Sequence, residues 1–420
     1  MHDFEYRQGE LYCEQVPLSR IAKEVGTPCY VYSHSTLIRH FRAYDNAFKN
    51  IPHVVAFAMK SNSNLAILSL MAKEGSGVDI VSGGELFRAL KAGVPPSKIV
   101  FAGVGKTADE IRDALKADIL MFNIESSAEL QAIQEVAASI GKKARIALRI
   151  NPDVDPKTHP YISTGMKKSK FGIAADRALQ EYKMAASLSH IDVVGVHAHI
   201  GSQLTEVTPF VDSLKKVVAL IGTLKAQGIN IRYLNIGGGL GITYSEEKPP
   251  LPQDLADAIS PIITDLGLTL VMEPGRVIVG NAGILMTKAL YLKEGEAKSF
   301  VIVDAAMNDL IRPSLYGAYH EIKPINAEAG HRAKQQVDIV GPVCESGDFL
   351  AKDRLLAAVK PGELMAVMSA GAYGFVMASN YNSRPRVPEV LVKGGDIHVI
   401  RERETYEDLV KGETIPAFLK

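Results

Sequence analysis

The sequence predicts an α/β protein, with an N-terminal (β/α)8, TIM-like barrel over residues 31–280 and a C-terminal β-sandwich or β-barrel domain over residues 281–420, to which residues 1–30 belong. Three observations carry that reading. Eight short runs rich in aliphatic and β-branched residues lie between residues 54 and 273, stretches with helical spacing separate them, and beyond about residue 280 the regular helices stop while strand-like runs continue. Parallel strands covered by helices on both faces read as continuously apolar, and these runs read that way.

Taken in order, Ser33 to Asn50 predicts a leading helix, and the eight runs follow at 54–59, 78–81, 98–102, 119–123, 145–150, 193–200, 232–237 and 269–273. Between them, Leu86 and Leu90 share a helical face before Gly93 stops the helix. Thr107 with Glu110, and Ser126 with Glu129, have capping-box spacing, followed by apolar stripes at Ile111 and Leu115 and at Leu130, Ile133 and Ala137. An open doubly wound sheet would show the same alternation. The barrel is preferred because the residues with chemical potential sit at the ends of these runs, and a closed barrel gathers its C-terminal strand ends at one mouth. After residue 280, segments 288–294, 299–306, 337–341, 363–368 and 389–402 read as strands of the second domain, with Pro28-Cys-Tyr-Val-Tyr32 as a candidate addition.

Composition narrows the function. With 420 residues and 47% hydrophobic content, the chain can bury two cores. Its 47 basic and 47 acidic residues cancel, so no net field recruits nucleic acid or an anionic membrane, and a small molecule is the expected partner. Cys13, Cys29 and Cys344 do not make a disulfide framework. The opening Met1-His-Asp-Phe-Glu-Tyr-Arg7 lacks the basic-then-apolar order of a secretory signal, and no apolar run is long enough to span a membrane, so a soluble, cytoplasmic protein is expected.

Lys60 closes the run Val54-Val-Ala-Phe-Ala-Met59. Burial at a strand end disfavours the ammonium form, and a free amine attacks an aldehyde to give a Schiff base; the same position also suits a solvated cap. Its companions favour the first reading, because His199-Ile-Gly-Ser202, Gly237-Gly-Gly239 and Glu273-Pro-Gly-Arg276 each end another run. An aldehyde cofactor such as pyridoxal 5′-phosphate (PLP) needs a phosphate cradle, a partner for its ring nitrogen and a surface for its ring. Gly237, Gly238 and Gly239 leave backbone N–H groups open to an anion, with the Ser202 hydroxyl as a further donor, unless they simply form a tight turn. Glu273, fixed by a Pro-Gly turn, suits a protonated ring nitrogen, and an ion pair with Arg276 is the plainer alternative. His197 and His199 alternate along their run; no cluster of Cys, Asp or Glu completes a metal site, so His199 is read as a flat surface for the ring and no metal is expected.

Phe57-Ala-Met-Lys60-Ser-Asn-Ser-Asn64, Val78-Asp-Ile-Val-Ser-Gly-Gly-Glu85, His199-Ile-Gly-Ser-Gln203, Gly237-Gly-Gly239 and Glu273-Pro-Gly-Arg276 together resemble the fold-type III PLP-dependent decarboxylases. Within that group, Arg312-Pro-Ser-Leu-Tyr316, Cys344-Glu-Ser-Gly-Asp348 and Gly371-Ala-Tyr-Gly374 look like the diaminopimelate decarboxylase family. The resemblance runs almost end to end, with Ser61 standing where the family commonly has alanine. It implies a head-to-tail homodimer with shared active sites. Lys60 would carry PLP, His199 would lie against its ring, and Glu273 would take the ring nitrogen. Asp79, Ser202, Gly237, Gly238, Gly239, Gly275, Arg276 and Tyr373 would complete the cofactor site. The resemblance further implies substrate contacts from Arg276, Arg312, Tyr316 and Tyr373, with Cys344 as proton donor and Glu345 at the distal amine, both from the second subunit.

The implied reaction is conversion of meso-2,6-diaminopimelate to L-lysine and carbon dioxide, the last step of lysine biosynthesis. A substrate with an amino-acid group at each end suits a matched distal pair such as Arg312 and Glu345. A related decarboxylase acting on arginine, ornithine or carboxynorspermidine is the near alternative. Glu273 disfavours an alanine racemase, whose relatives use arginine at the ring nitrogen, and the added domain with Cys344 disfavours a PLP carrier without turnover. The connection from Asn151 to Gly172, with Lys167-Lys168-Ser169-Lys170, reads equally as a lid or a solvated loop.

Overall fold

The computed structural model describes residues 2–154, 170–296 and 298–420. The chain divides into two compact units, Ile38–Ile278 and Met1–Leu37 with Val279–Lys420.

The first unit is a closed barrel of β1 (His53–Ala58), β2 (Gly77–Ile80), β3 (Ile99–Phe101), β4 (Met121–Ile124), β5 (Ala144–Asn151), β6 (Ile191–His197), β7 (Tyr233–Asn235) and β8 (Thr269–Met272). Each strand pairs in parallel with the next, and β8 returns to β1 with Leu270, Val271 and Met272 opposite His53, Val54 and Val55. That closure removes the doubly wound alternative. Helix α1 (His34–Ala47) precedes β1. The connections carry α2 (Leu65–Lys73), α3 (Gly83–Lys91), α4 (Ala108–Ala117), α5 (Ser127–Ser139), α6 (Ala178–Ser187), α7 (Thr208–Ala226) and α8 (Pro252–Ile263).

Helix starts follow from their caps. Thr107 and Glu110 form the full reciprocal box. Ser126 accepts from Glu129 N, but the Glu129 carboxylate does not return to the cap: it accepts Glu125 N at 2.8 Å and pairs with Lys106 Nζ at 2.6 Å. A buried lysine is a stronger partner than a cap N–H. On α3, Leu86 is buried but Leu90 is 41% exposed, and Ala89 takes the inward position instead.

The second unit contains a sheet in the order Phe349–Ala357, Lys334–Val340, Ser299–Val303, Gly283–Glu294, Cys29–Ser33, Glu389–Lys393, Asp396–Arg401, with Leu364–Val367 pairing with Gly283–Glu294 and Ile322–Pro324 pairing in turn with Leu364–Val367. The Pro28–Tyr32 segment does join it: Cys29–Ser33 lies antiparallel to Gly283–Met286 and parallel to Glu389–Val392. Phe349–Ala357 escaped the sequence reading because it is the end strand, and its Lys352-Asp-Arg354 centre breaks the apolar pattern. Of the Asn151–Gly172 connection, residues 155–169, including Lys167, Lys168 and Ser169, lie outside the described residues. Among the described residues, no helix is long and apolar enough to cross a membrane.

Candidate active site

Strand periodicity makes the barrel interior apolar below and polar at its C-terminal end. Met121, Ala147 and Val271 belong to the interior apolar cluster, with Tyr233 packed against it. Two residues further on, on the same face, come Asn123, Arg149, Glu273 and Asn235. Glu273 is 5% exposed. Its Oε1 accepts from both Asn123 Nδ2 (3.0 Å) and Asn235 Nδ2 (2.6 Å), while Oε2 takes no hydrogen bond among the described residues and faces His197 Nε2 at 3.7 Å. Burial raises this carboxyl to about 7; the Asp79 charge adds to the rise, and Lys60, the Asn235 amide and Arg149 oppose it. The plain Glu273–Arg276 ion pair is not what forms. Arg276 Nη1 instead donates to Tyr244 Oη (2.6 Å) and Nη2 to Ser202 Oγ (3.2 Å).

Lys60 corrects one expectation. It lies in a single 3-10 turn, Met59–Ser61, just after β1, and its side chain is 39% exposed, so the amine is not held by apolar burial. Asp79 holds it: Oδ2 is 2.6 Å from Lys60 Nζ, the aspartate is fully buried, and its Oδ1 has no hydrogen-bond partner among the described residues. The reason is geometric, since the strand ends at Ala58 and the turn swings the next side chain over the mouth toward β2.

Strand β6 also ends earlier than its sequence run, at His197, so His199 is placed by the loop and not by strand alternation. Gly238 N donates to His199 Nδ1 at 3.2 Å, which leaves the ring proton on Nε2. Burial, with the charges of Arg149 and Lys60, holds this imidazole well below its ordinary range, and it is neutral. The glycines beside it are obligatory. A Cβ on Gly237 would stand 2.5 Å from His199 Nδ1, one on Gly238 2.1 Å from the Glu273 carbonyl oxygen, and one on Gly239 2.6 Å from Gly201 O. At Gly275 a Cβ would come within 3.0 Å of Ser61 Oγ and 3.1 Å of Ala58 Cβ, so the Glu273–Arg276 turn packs directly on the lysine turn.

The model of the pyridoxal-dependent decarboxylase pyridoxal-binding domain matches residues 34–280. The chain is 54% identical over 415 residues to the diaminopimelate decarboxylase of Pseudomonas aeruginosa, covering 99% of each chain. It is 52% identical over 408 residues to that of Aquifex aeolicus, covering 97% of this chain and 96% of the other. The solved diaminopimelate decarboxylase of M. jannaschii in co-complex with L-lysine superposes with a TM-score of 0.94 at 42% identity over 100% of both chains. This chain belongs to the diaminopimelate decarboxylase family.

The cofactor of this pyridoxal-dependent family fits the mouth. A protonated pyridine nitrogen suits an acidic partner, and Glu273 is a buried residue whose Oε2 takes no hydrogen bond among the described residues. A phosphate requires cation and hydroxyl donors beside bare backbone, and Arg276, Ser202 and the three glycines provide them. An aldehyde requires an accessible amine, which Lys60 presents. Among the positions read from sequence, Lys60, Asp79, His199, Ser202, Gly237–Gly239, Glu273, Gly275 and Arg276 all come together at this mouth. Sequence reading missed Asn123, Asn235, Arg149 and Tyr244. The available signal was an amide inside an apolar strand, as in Met121-Phe-Asn-Ile124 and Tyr233-Leu-Asn235.

The remaining family positions lie in the second unit. Arg312 is 6% exposed and its Nη1 donates to His320 Nε2 (2.7 Å), whose Nδ1 in turn meets Met368 O (2.8 Å). Tyr316 ends the short helix Arg312–Tyr316, and Tyr373 has φ 55°, a left-handed conformation rare outside glycine. Cys344 is exposed on a turn pinned by Asn382 Oδ1, which accepts Cys344 N at 2.7 Å, and by Asp348, which accepts Val343 N and Met307 N at 2.7 Å. Glu345 is turned onto Gly347 N at 3.2 Å.

Proposed function

We propose that this chain is a PLP-dependent carboxy-lyase that converts meso-2,6-diaminopimelate to L-lysine and carbon dioxide, acting as a cytoplasmic homodimer with shared sites. Residues 31–280 form its cofactor barrel, and residues 1–30 with 281–420 its β domain. The observation that carries the proposal is 54% identity to a diaminopimelate decarboxylase over 99% of the chain. L-Lysine bound to the M. jannaschii relative supports the product.

The chemistry that PLP would supply at this mouth is an electron sink for the pair left on the α-carbon when carbon dioxide departs. Lys60 would hold the cofactor through its amine, and Asp79, 2.6 Å from Nζ, fixes where that amine rests. Glu273 Oε2 would accept a hydrogen bond from the protonated ring nitrogen, with the proton staying on the ring. A cation there pulls its carboxyl down from about 7 and keeps it ionised. His199 offers a neutral flat face, and Ser202, Gly237, Gly238, Gly239, Gly275 and Arg276 hold the phosphate, with Tyr373 beside the cofactor. Arg276, Arg312, Tyr316 and Tyr373 bind substrate carboxylates. From the second subunit, the Cys344 thiol delivers the proton that replaces the lost carboxylate, and Glu345 binds the distal ammonium.

The test is to supply the purified protein and PLP with meso-diaminopimelate, lysine, ornithine or arginine separately and record carbon dioxide. Release from the first alone is expected. Preferential release from ornithine or arginine would reassign the substrate, and none from any would remove the activity.

A further inference from the structure

We infer that Asn123 and Asn235 are positioning residues that hold Glu273 ionised and turn its Oε2 toward the cofactor's ring nitrogen; the inference rests on the assignment of Glu273 to that nitrogen. Both amides donate to the same oxygen, Oε1, at 3.0 and 2.6 Å. Asn235 reaches it from β7, the strand beside β8, and Asn123 from β4, directly across the barrel. Two donors on one oxygen, from two different strands, fix the rotation of the carboxylate, which leaves Oε2 as the oxygen for a third partner. Asn235 itself cannot turn over, because its Oδ1 accepts Gly237 N at 2.8 Å.

The charges around this carboxyl do not settle its state by themselves. Asp79 from β2 repels the ionised form, whereas Lys60 after β1 and Arg149 from β5 favour it. His197 from β6 stands 3.7 Å from Oε2, and burial there holds it neutral, so it adds no cation; His199 is neutral likewise. The amides add to the groups that favour the carboxylate, the Asn235 hydrogen bond lowering this carboxyl beside Lys60 and Arg149, because N–H donors stabilise a carboxylate and do little for a carboxylic acid. Loss of one such bond raises the Glu273 carboxyl by about one to two pH units.

Asn123→Val is the sharpest variant, because valine suits a strand and the Asn123 side chain has no other hydrogen bond among the described residues. Carboxyl carbon resonances of the cofactor-free protein, assigned with Glu273→Gln, follow the titration, and the nitrogen-15 shift of labelled PLP reports protonation of its ring in the loaded protein. In Asn123→Val the Glu273 titration is expected to move up by about one to two pH units and the ring-nitrogen signal toward the unprotonated position. In a Glu273→Gln background the same substitution is expected to leave the nitrogen signal unmoved. An unchanged titration in a folded Asn123→Val protein overturns the inference. Asn123→Ser gives the same reading should the valine variant not fold. An unprotonated ring nitrogen in the parent protein would instead strike at the role of Glu273, and the cofactor-free titration would still judge the amides.

Discussion

Gly238→Ala tests how tightly the fold aims Glu273. A methyl at this position would lie 2.1 Å from the Glu273 carbonyl oxygen and 3.0 Å from its carbon, where a relaxed contact needs roughly 3.5 Å. The segments must therefore part by about 1.4 Å in all, at least about 1 Å of it reaching one of them if the other yields a little. The segments cannot part freely, because Glu273 N donates to Gly237 O at 2.8 Å, and on the other side Gly238 N holds His199 Nδ1 at 3.2 Å. The displacement is delivered to the two groups proposed to meet the cofactor ring. A misplacement of about 1 Å at a reacting centre costs on the order of 100-fold in rate. Carbon dioxide release is expected to fall by about that factor and PLP affinity to weaken, with the far-ultraviolet circular dichroism unchanged. Gly222→Ala is the control. Gly222 is an exposed position on α7 with nothing within 4 Å of an added Cβ, so this change is expected to stabilise the protein by about 0.5–1 kcal/mol and leave turnover alone. A Gly238→Ala enzyme within twofold of the parent would refute the reasoning.

Other outcomes follow from the same geometry. Glu273 has a folded pKa raised from 4.5 to about 7, so between these values the folded protein binds more protons than the unfolded chain, and the cofactor-free protein loses stability as pH rises through 7. The full effect is about 3 kcal/mol; urea unfolding at pH 5 and pH 8 should show it shrinking in Glu273→Gln, with a residue from Glu85, which burial also raises to about 7, and an equal loss in both proteins would contradict it. Lys106→Met breaks a pair whose side chains are 1% and 7% exposed and strands Glu129, so the urea midpoint should fall by the equivalent of about 3–5 kcal/mol, and Lys106→Met with Glu129→Leu should recover much of it. If the proposed homodimer shares its sites, mixing refolded Lys60→Ala and Cys344→Ala chains should restore about a quarter of parental turnover, because half of the dimers would be mixed and each mixed dimer would hold one intact site; no recovery would separate Cys344 from a shared site.

The barrel was legible because its eight strands are short, apolar on both faces and punctuated by caps such as Thr107 with Glu110, signals that are local in sequence. The glycine run and the Glu273–Arg276 turn were legible for a related reason, because close backbone approach leaves few residue choices. What failed was long-range. Glu129 abandoned its cap for Lys106, and Lys60 found Asp79 in place of an apolar pocket, because buried charges seek partners that spacing does not reveal. Asn123 and Asn235 went unseen for the same cause: within an apolar strand an amide looks like a defect until another strand, across the barrel for Asn123 and adjacent for Asn235, brings its acceptor.

The most direct measurement loads the protein with PLP, reduces it with borohydride and maps the added mass by peptide mass spectrometry. The cofactor is expected on the peptide containing Lys60, and Lys60→Ala should carry none. A label on another lysine, or no label at all, would contradict the account.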